Sequence, residues 1–109
     1  MPAYDDLFHV SVSEDADGVL VSVRGELDTY TAPRLRERLD DVIEQNGHVA
    51  LRLELSGMSF VDSSGLAVLV DALKKMRQQG GALSLHSPTP ATTKVLEISG
   101  LDRIFEIEP

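Results

Sequence analysis

Residues 51–70 read LRLELSGMSFVDSSGLAVLV, and this stretch decides the fold. Leu51, Leu53 and Leu55 alternate with charged residues, which is typical of a β-strand. Ser56-Gly57 interrupts the alternation, and we expect residues 58–61 to form a short connection. The apolar residues that follow share one face of a helix: Leu66, Leu69, Val70, Leu73 and Met76. The stretch therefore predicts a strand, a loop and a helix in succession.

A short polar run stands immediately before this helical stripe. It consists of Asp62, Ser63, Ser64 and Gly65. Short side-chain oxygens at a helix N-terminus accept hydrogen bonds from the first backbone amides, which have no partner inside the helix. From the pattern alone, Ser63 and Ser64 are helix-capping residues. The same position also tolerates a phosphate group, because free amides and the positive end of the helix dipole face it.

The sequence before this stretch predicts a β-hairpin and then a helix. Residues 7–12 and 19–23 are the predicted strands, separated by an acidic turn cluster at 14–18. The second strand ends in the sequence GELD at 25–28. We expect the first helix over 31–45, with a polar cap and an apolar stripe. The cap is Thr29 or Thr31, the stripe is Leu35, Leu39, Val42 and Ile43, and the stop is Asn46-Gly47.

The sequence after this stretch predicts a short strand, a third helix and a last edge strand. The helix at 64–78 ends at Gly80-Gly81, and residues 82–86 form the strand. The third helix spans 90–99, and residues 101–107 supply the edge strand. Thr89 is the predicted cap of the third helix. Val95 and Leu96 form its predicted buried face, and Ile98 is a further candidate for that face.

The element order β-β-α-β-α-β-α-β predicts an α/β fold in a single domain. The domain covers residues 1–109, with its core at about 7–107, and this length suffices for one hydrophobic core. Strand–helix–strand units require right-handed crossovers between parallel strands. We therefore expect a mixed β-sheet flanked by helices, with an N-terminal antiparallel hairpin and the remaining strands mainly parallel.

Parallel strands bring their carboxyl ends to one edge of the sheet, where open α/β sheets bind ligands and partners. Asp28, Asp62 and Ser63 follow two such strands and should be neighbours. His86 and Thr89, after the next parallel strand, are expected to join that edge. From the pattern alone, Asp28 is a turn residue at the end of a strand.

Charge and composition exclude several classes of function. The net charge is −8, from 18 acidic and 10 basic residues, and this disfavours binding to nucleic acid or anionic lipid. The basic trio Lys74, Lys75 and Arg77 complements a helix dipole. Without cysteine there is no disulfide or thiolate site. There is no apolar run of membrane-spanning length and no secretory signal pattern, so we expect a cytoplasmic protein. The sequence has no Gly-rich phosphate loop with its lysine and no His or carboxylate spacing typical of a metal site, so we expect neither metal nor cofactor.

Four segments together resemble the STAS domain family, and more narrowly the stand-alone bacterial anti-sigma factor antagonists. They are GELD at 25–28, the strand at 51–55, FVDSSGL at 60–66 and ISGL at 98–101. The resemblance implies a partner-switching regulator of transcription. Unphosphorylated, it binds an anti-sigma factor with serine kinase activity. Phosphorylation of Ser63 releases it, and a serine phosphatase resets it.

The resemblance also assigns surroundings to this phosphosite: Asp28, Met58, Phe60, Asp62, Ser64 and Gly65. Ser64 remains the expected cap. Asp28 is either a turn residue or a group that holds the kinase's metal-bound nucleotide or tunes the environment of Ser63. Met58 and Phe60 are either core residues or an apolar rim presented to the partner. At least one should face inward, since contiguous exposed apolar patches are uncommon.

Other readings of the sequence remain open. STAS-like domains also serve as accessory subunits of transporters and as stressosome scaffold parts. Ser63, His86 and Asp28 contain the residue types of a hydrolase triad, but residues 61–65, VDSSG, lack the first glycine of a nucleophile elbow. We therefore do not expect an enzyme. Family members usually continue into a further helix, whereas this sequence ends at Pro109, so a contact through that element is not expected; the oligomeric state stays open.

Overall fold

A computed structural model describes residues 7–46 and 49–109. The predicted α/β order is confirmed, with a short 3-10 turn before the last strand. The elements are β1 (His9–Asp15), β2 (Gly18–Leu27), α1 (Ala32–Asn46), β3 (Ala50–Val61), α2 (Ser63–Gln78), β4 (Ala82–His86), α3 (Pro90–Ser99), the 3-10 turn (Leu101–Arg103) and β5 (Glu106–Glu108). The helix stop predicted at Gly47 lies outside the described residues.

The five strands form one mixed sheet in the order β1-β2-β3-β4-β5. β1 and β2 are antiparallel, and every other neighbouring pair is parallel, as the sequence predicted. β5 is shorter than expected because the chain after Gly100 turns first. Gly100 adopts a positive φ of 77°, and the amide N–H of Phe105 then donates to the carbonyl oxygen of Leu101 at 3.2 Å.

One face of the sheet carries the hydrophobic core. Val21, Leu53 and Leu85 are fully buried on this face, whereas the residues that follow them, Ser22, Glu54 and His86, are only half-buried on the other. The predicted stripe of α1 is buried throughout, and in α2 the buried members are Leu69, Leu73 and Met76.

Ile98, a candidate for the buried face of α3, does not belong to it. Ile98 is 76% exposed, while Leu96 is fully buried. Two residues along a helix correspond to a rotation of roughly 200°, so these two side chains point to opposite sides of α3. The buried face of α3 is narrow and consists of Thr92 and Leu96.

The predicted connection at 58–61 is also wrong, because β3 continues to Val61. Compared with β2, this strand contains one additional residue between Glu54 and Gly57 and another between Met58 and Phe60. Such β-bulges interrupt the two-residue alternation from which a strand is recognised. The alternation therefore fails in a segment whose backbone is still paired in the sheet.

Two ion pairs join α1 to α2 on the surface. Arg36 donates to Asp71 at 2.7 Å, and Lys75 donates to Asp40 at 2.7 Å. The hydrogen bond from Arg36 lowers the pKa of the Asp71 carboxyl below its ordinary value. Because the folded-state pKa is depressed, this stabilisation is present above the unfolded pKa and is lost as the pH falls through the folded pKa. The pair is half-exposed, so its contribution is small.

Candidate functional site at the carboxyl ends of β2 and β3

The site begins where two parallel strands end side by side. Leu27, the last residue of β2, pairs with Val61, the last residue of β3. The amide N–H of Asp62 donates to the carbonyl oxygen of Leu27 at 3.1 Å. The loop that carries Asp28 therefore lies beside the start of α2, and the structure places Asp28 and Ser63 on the same sheet edge.

Asp62 is the N-cap of α2. Its backbone is extended, and its Oδ1 accepts hydrogen bonds from the amide N–H groups of Ser64 at 2.9 Å and Gly65 at 3.1 Å. The prediction that Ser64 is the cap is wrong. Ser64 lies inside the first turn, where its amide is one of the donors that the cap satisfies.

Replacing Asp62 by alanine is expected to lower the free energy of unfolding by about 0.5–2 kcal/mol, because two amides of α2 lose their acceptor. Urea denaturation measures this loss. Asp41→Ala is the matched control, because Asp41 is an exposed carboxylate within α1; its effect should stay within about 0.5 kcal/mol. Equal losses in the two variants would contradict the assignment of the cap.

Ser63 is the first residue of α2 and is exposed. Its hydroxyl makes no hydrogen bond to another described residue. The neighbouring carboxylate of Asp62 accepts from the amides of Ser64 and Gly65 and not from this hydroxyl. An exposed hydroxyl at a helix N-terminus can be reached by another protein without local unfolding. A charged group added to it would also meet the positive end of the helix dipole.

Asp28 organises the loop between β2 and α1. Its Oδ1 accepts hydrogen bonds from the amide N–H groups of Tyr30 at 2.9 Å and Thr31 at 3.0 Å, and it lies 3.2 Å from the hydroxyl oxygen of Thr31. These contacts are those of a turn residue at a strand end. Its other oxygen, Oδ2, makes no hydrogen bond to a described residue.

Neither predicted threonine caps α1 with its side chain. The Thr31 hydroxyl accepts from the amide N–H of Asp28 at 2.9 Å and donates to the carbonyl oxygen of Glu26 at 2.7 Å, so it points back towards β2. The Thr29 hydroxyl lies 3.4 Å from that of Ser64, within hydrogen-bond distance. This contact ties the loop to α2, and the sequence offered no signal for it.

The apolar residues of the site divide between core and surface. Met58 is fully buried, whereas Phe60 is 46% exposed, so one of the pair faces inward, as expected. Gly65 is buried against the side chains of Leu27 and Val61. Tyr30 is 79% exposed in the neighbouring loop, and nothing in the sequence indicated this because no periodic pattern includes the residue.

Thr89 reaches this part of the molecule, but His86 does not. The Thr89 hydroxyl donates to the carbonyl oxygen of Met58 at 3.3 Å and caps α3 as predicted. His86 pairs with Glu54, seven residues before the end of β3, which is roughly 20 Å along a strand. β4 stops early while β3 continues, so the prediction that His86 joins the edge is wrong.

The distance of His86 from Ser63 also argues against a hydrolase triad of Ser63, His86 and Asp28. The Nε2 atom of His86 lies 2.8 Å from the hydroxyl oxygen of Ser84, in the same short strand. The described structure therefore does not bring Ser63, His86 and Asp28 together as nucleophile, base and orienting acid. Among the described residues, no helix is long and apolar enough to span a bilayer.

Comparisons with known proteins agree with this arrangement. The family model described as STAS domain matches residues 9–109. The chain is 36% identical over 99 residues to the anti-sigma-B factor antagonist of Bacillus subtilis, covering 91% of this chain and 89% of that protein. It therefore spans most of the length of this relative.

Solved structures resemble the chain over most of its length. The crystal structure of an anti-sigma factor antagonist from Mycobacterium paratuberculosis has a TM-score of 0.85 at 29% identity and covers 99% of this chain and 91% of that one. The Bacillus cell fate determinant SpoIIAA in its phosphorylated form has a TM-score of 0.69 at 25% identity and covers 94% and 91%. One structural neighbour is thus a phosphoprotein.

Proposed function

We propose that this chain, which belongs to the STAS domain family, is an anti-sigma factor antagonist. In its unphosphorylated form it binds an anti-sigma factor and thereby frees a sigma factor. The anti-sigma factor is also a serine kinase, and it ends the interaction by phosphorylating Ser63. A serine phosphatase removes the phosphate and restores binding. The chain works as one domain in the cytoplasm, where transcription takes place.

The position of Ser63 carries this proposal. Its hydroxyl is exposed, unengaged by described residues, and located at the first residue of a well-capped helix. Phosphate adds about −1.5 to −2 charges at neutral pH. The positive end of the helix dipole stabilises a negative group at this position by about 0.3–1 kcal/mol, so the fold tolerates the phosphate. The phosphorylated structural neighbour supports the same chemistry.

The surroundings of Ser63 have separate roles in the proposal. Asp62 holds the helix start in place, and Gly65 allows that start to lie against the two strand ends. Asp28 fixes the adjacent loop through Oδ1. Its remaining oxygen adds negative charge beside the phosphosite and is available to the kinase's metal-bound nucleotide.

Phosphate mapping tests the assignment of Ser63. The chain is incubated with ATP and the anti-sigma factor that co-purifies with it, and the products are analysed by mass spectrometry. We expect one phosphate on Ser63, none on Ser63→Ala, and normal incorporation on Ser64→Ala, whose hydroxyl is the adjacent matched control. Phosphate on Ser64 or Thr89 would contradict the assignment. Co-purification with a membrane transporter instead of an ATP-dependent kinase would overturn the proposed function itself.

A further inference from the structure

Two aromatic side chains at the site are exposed to an unusual degree. Phe8 and Phe105 are buried in the core, as aromatic residues commonly are. By contrast, Tyr30 is 79% and Phe60 is 46% exposed. These two complete the set of aromatic residues that the described part of the chain contains. An exposed aromatic residue at the edge of a functional site calls for an explanation.

Both exposed rings lie at the sheet edge that carries Ser63. Phe60 is opposite Glu26 in the β2–β3 pair, one position before these strands end together. Tyr30 is in the loop that follows β2. Hydrogen bonds hold this loop: the amide N–H of Tyr30 donates to Asp28, and the neighbouring Thr29 hydroxyl contacts that of Ser64. The rings are therefore presented by an ordered backbone, which lowers the entropic cost of binding.

The charged residues of the site itself are all acidic, and the basic residues Arg24 and Arg34 flank it in sequence. Residues 25–33 and 56–67, which form the site, contain no Lys, Arg or His. They contain three carboxylates, Glu26, Asp28 and Asp62. A partner that covers this surface must meet acidic groups around two apolar projections. Lys and Arg side chains on the partner satisfy the carboxylates, and an Arg guanidinium can also stack on an aromatic ring.

We infer that Tyr30 and Phe60 are the two apolar anchors by which the unphosphorylated chain holds its partner, and that the receiving surface has apolar pockets rimmed by Lys and Arg. This inference rests on the proposed function and identifies the chemistry of the partner's surface. Buried aromatic anchors dominate the binding energy of many interfaces, surrounded by contacts of small effect. Phosphate on Ser63 would then act beside the anchors without displacing them.

Ile98 provides a matched control. It is 76% exposed on α3, so it tests whether any exposed apolar side chain contributes to binding. α3 begins beside Met58, to which Thr89 is hydrogen-bonded, and runs away from the site for ten residues, about 15 Å. Ile98 lies near the far end of this helix.

The test is isothermal titration calorimetry with the purified anti-sigma factor encoded by the same genome. Tyr30→Ala and Phe60→Ala should each weaken binding by about tenfold or more, while Ile98→Ala should bind within about twofold of the wild-type chain. Circular dichroism and urea titration establish that each variant is folded. If the wild-type chain binds and both aromatic variants bind as tightly as it does, the inference is wrong and the proposed function still holds.

One further outcome bears on the proposed function, and another tests the basic rim of the partner's surface. A wild-type chain that does not bind any purified anti-sigma factor of its genome would overturn the proposed function, and the inference with it. An association rate that falls as salt is raised supports the basic rim, because salt screens steering between opposite charges. A rate that is independent of salt would contradict that rim.

Discussion

Phosphorylation of Ser63 is expected to weaken binding to the anti-sigma factor by about a hundredfold or more, which corresponds to about 2.7 kcal/mol. Loss of one neutral serine hydrogen bond, about 0.5–1.5 kcal/mol, is too small to produce this effect. An unpaired phosphate buried against a partner is costly enough. At this position the phosphate joins the charges of Asp62 and Asp28 on a surface that is already acidic.

Calorimetry on four forms of the chain measures the effect: unmodified, phosphorylated, Ser63→Ala and Ser63→Asp. Ser63→Ala should bind within about tenfold of the unmodified chain, because it loses at most one hydrogen bond. Ser63→Asp, with less charge and a shorter reach, should bind weakly. The fold itself should not change, so amide exchange in α2 should be the same before and after phosphorylation. Loss of protection in α2 would show that the switch is conformational and would contradict this mechanism.

Gly65→Ala is expected to lower the free energy of unfolding by about 1–3 kcal/mol, as overpacking of a filled core does. A Cβ atom at this position would lie 2.5 Å from Cγ of Leu27 and 2.9 Å from Cγ2 of Val61. Both neighbours are buried at the ends of their strands, so they have little room to move. The start of α2 must then shift outward, and Ser63 shifts with it.

Gly57→Ala is the matched control for this substitution. Its new Cβ would approach the side chain of Arg24, at 2.7 Å from Cγ. Arg24 is exposed, so its long side chain can adopt another rotamer, and alanine also restricts the unfolded chain more than glycine does. Urea denaturation should therefore show little change for Gly57→Ala. If both glycine substitutions cost the same, tight packing at Gly65 is not the cause.

The periodic part of the sequence predicted the architecture well, for a physical reason. The leucines of β3, the stripe of α1 and three of the five stripe residues of α2 are buried on one face of regular elements, and regular elements repeat in sequence as they do in space. The order of strands and helices then limits the topology. The shared edge of Asp28 and Ser63 follows from parallel strands alone.

The departures from prediction lie where contacts are not periodic. The cap at Asp62 could not be distinguished from one at Ser64, because either oxygen can accept from the first amides. The contacts of Asp28 and Thr31 depend on the conformation of a loop, which no sequence repeat specifies. The exposure of Tyr30 depends on the same loop. His86 was misplaced because sequence order does not reveal how far β3 extends beyond β4.

The paired bulges of β3 determine which way the residues before Ser63 face. One bulge inverts the inside–outside parity of every later residue in a strand, and a second bulge restores it. Between the two bulges the parity is inverted, and Met58 is buried; beyond them, Val61 is buried and Phe60 is exposed. A strand with one bulge would turn Phe60 into the core and Val61 towards solvent. The number of residues in this segment therefore sets the outward direction of the Phe60 side chain, and the insertion or loss of a single residue would turn that side chain inward.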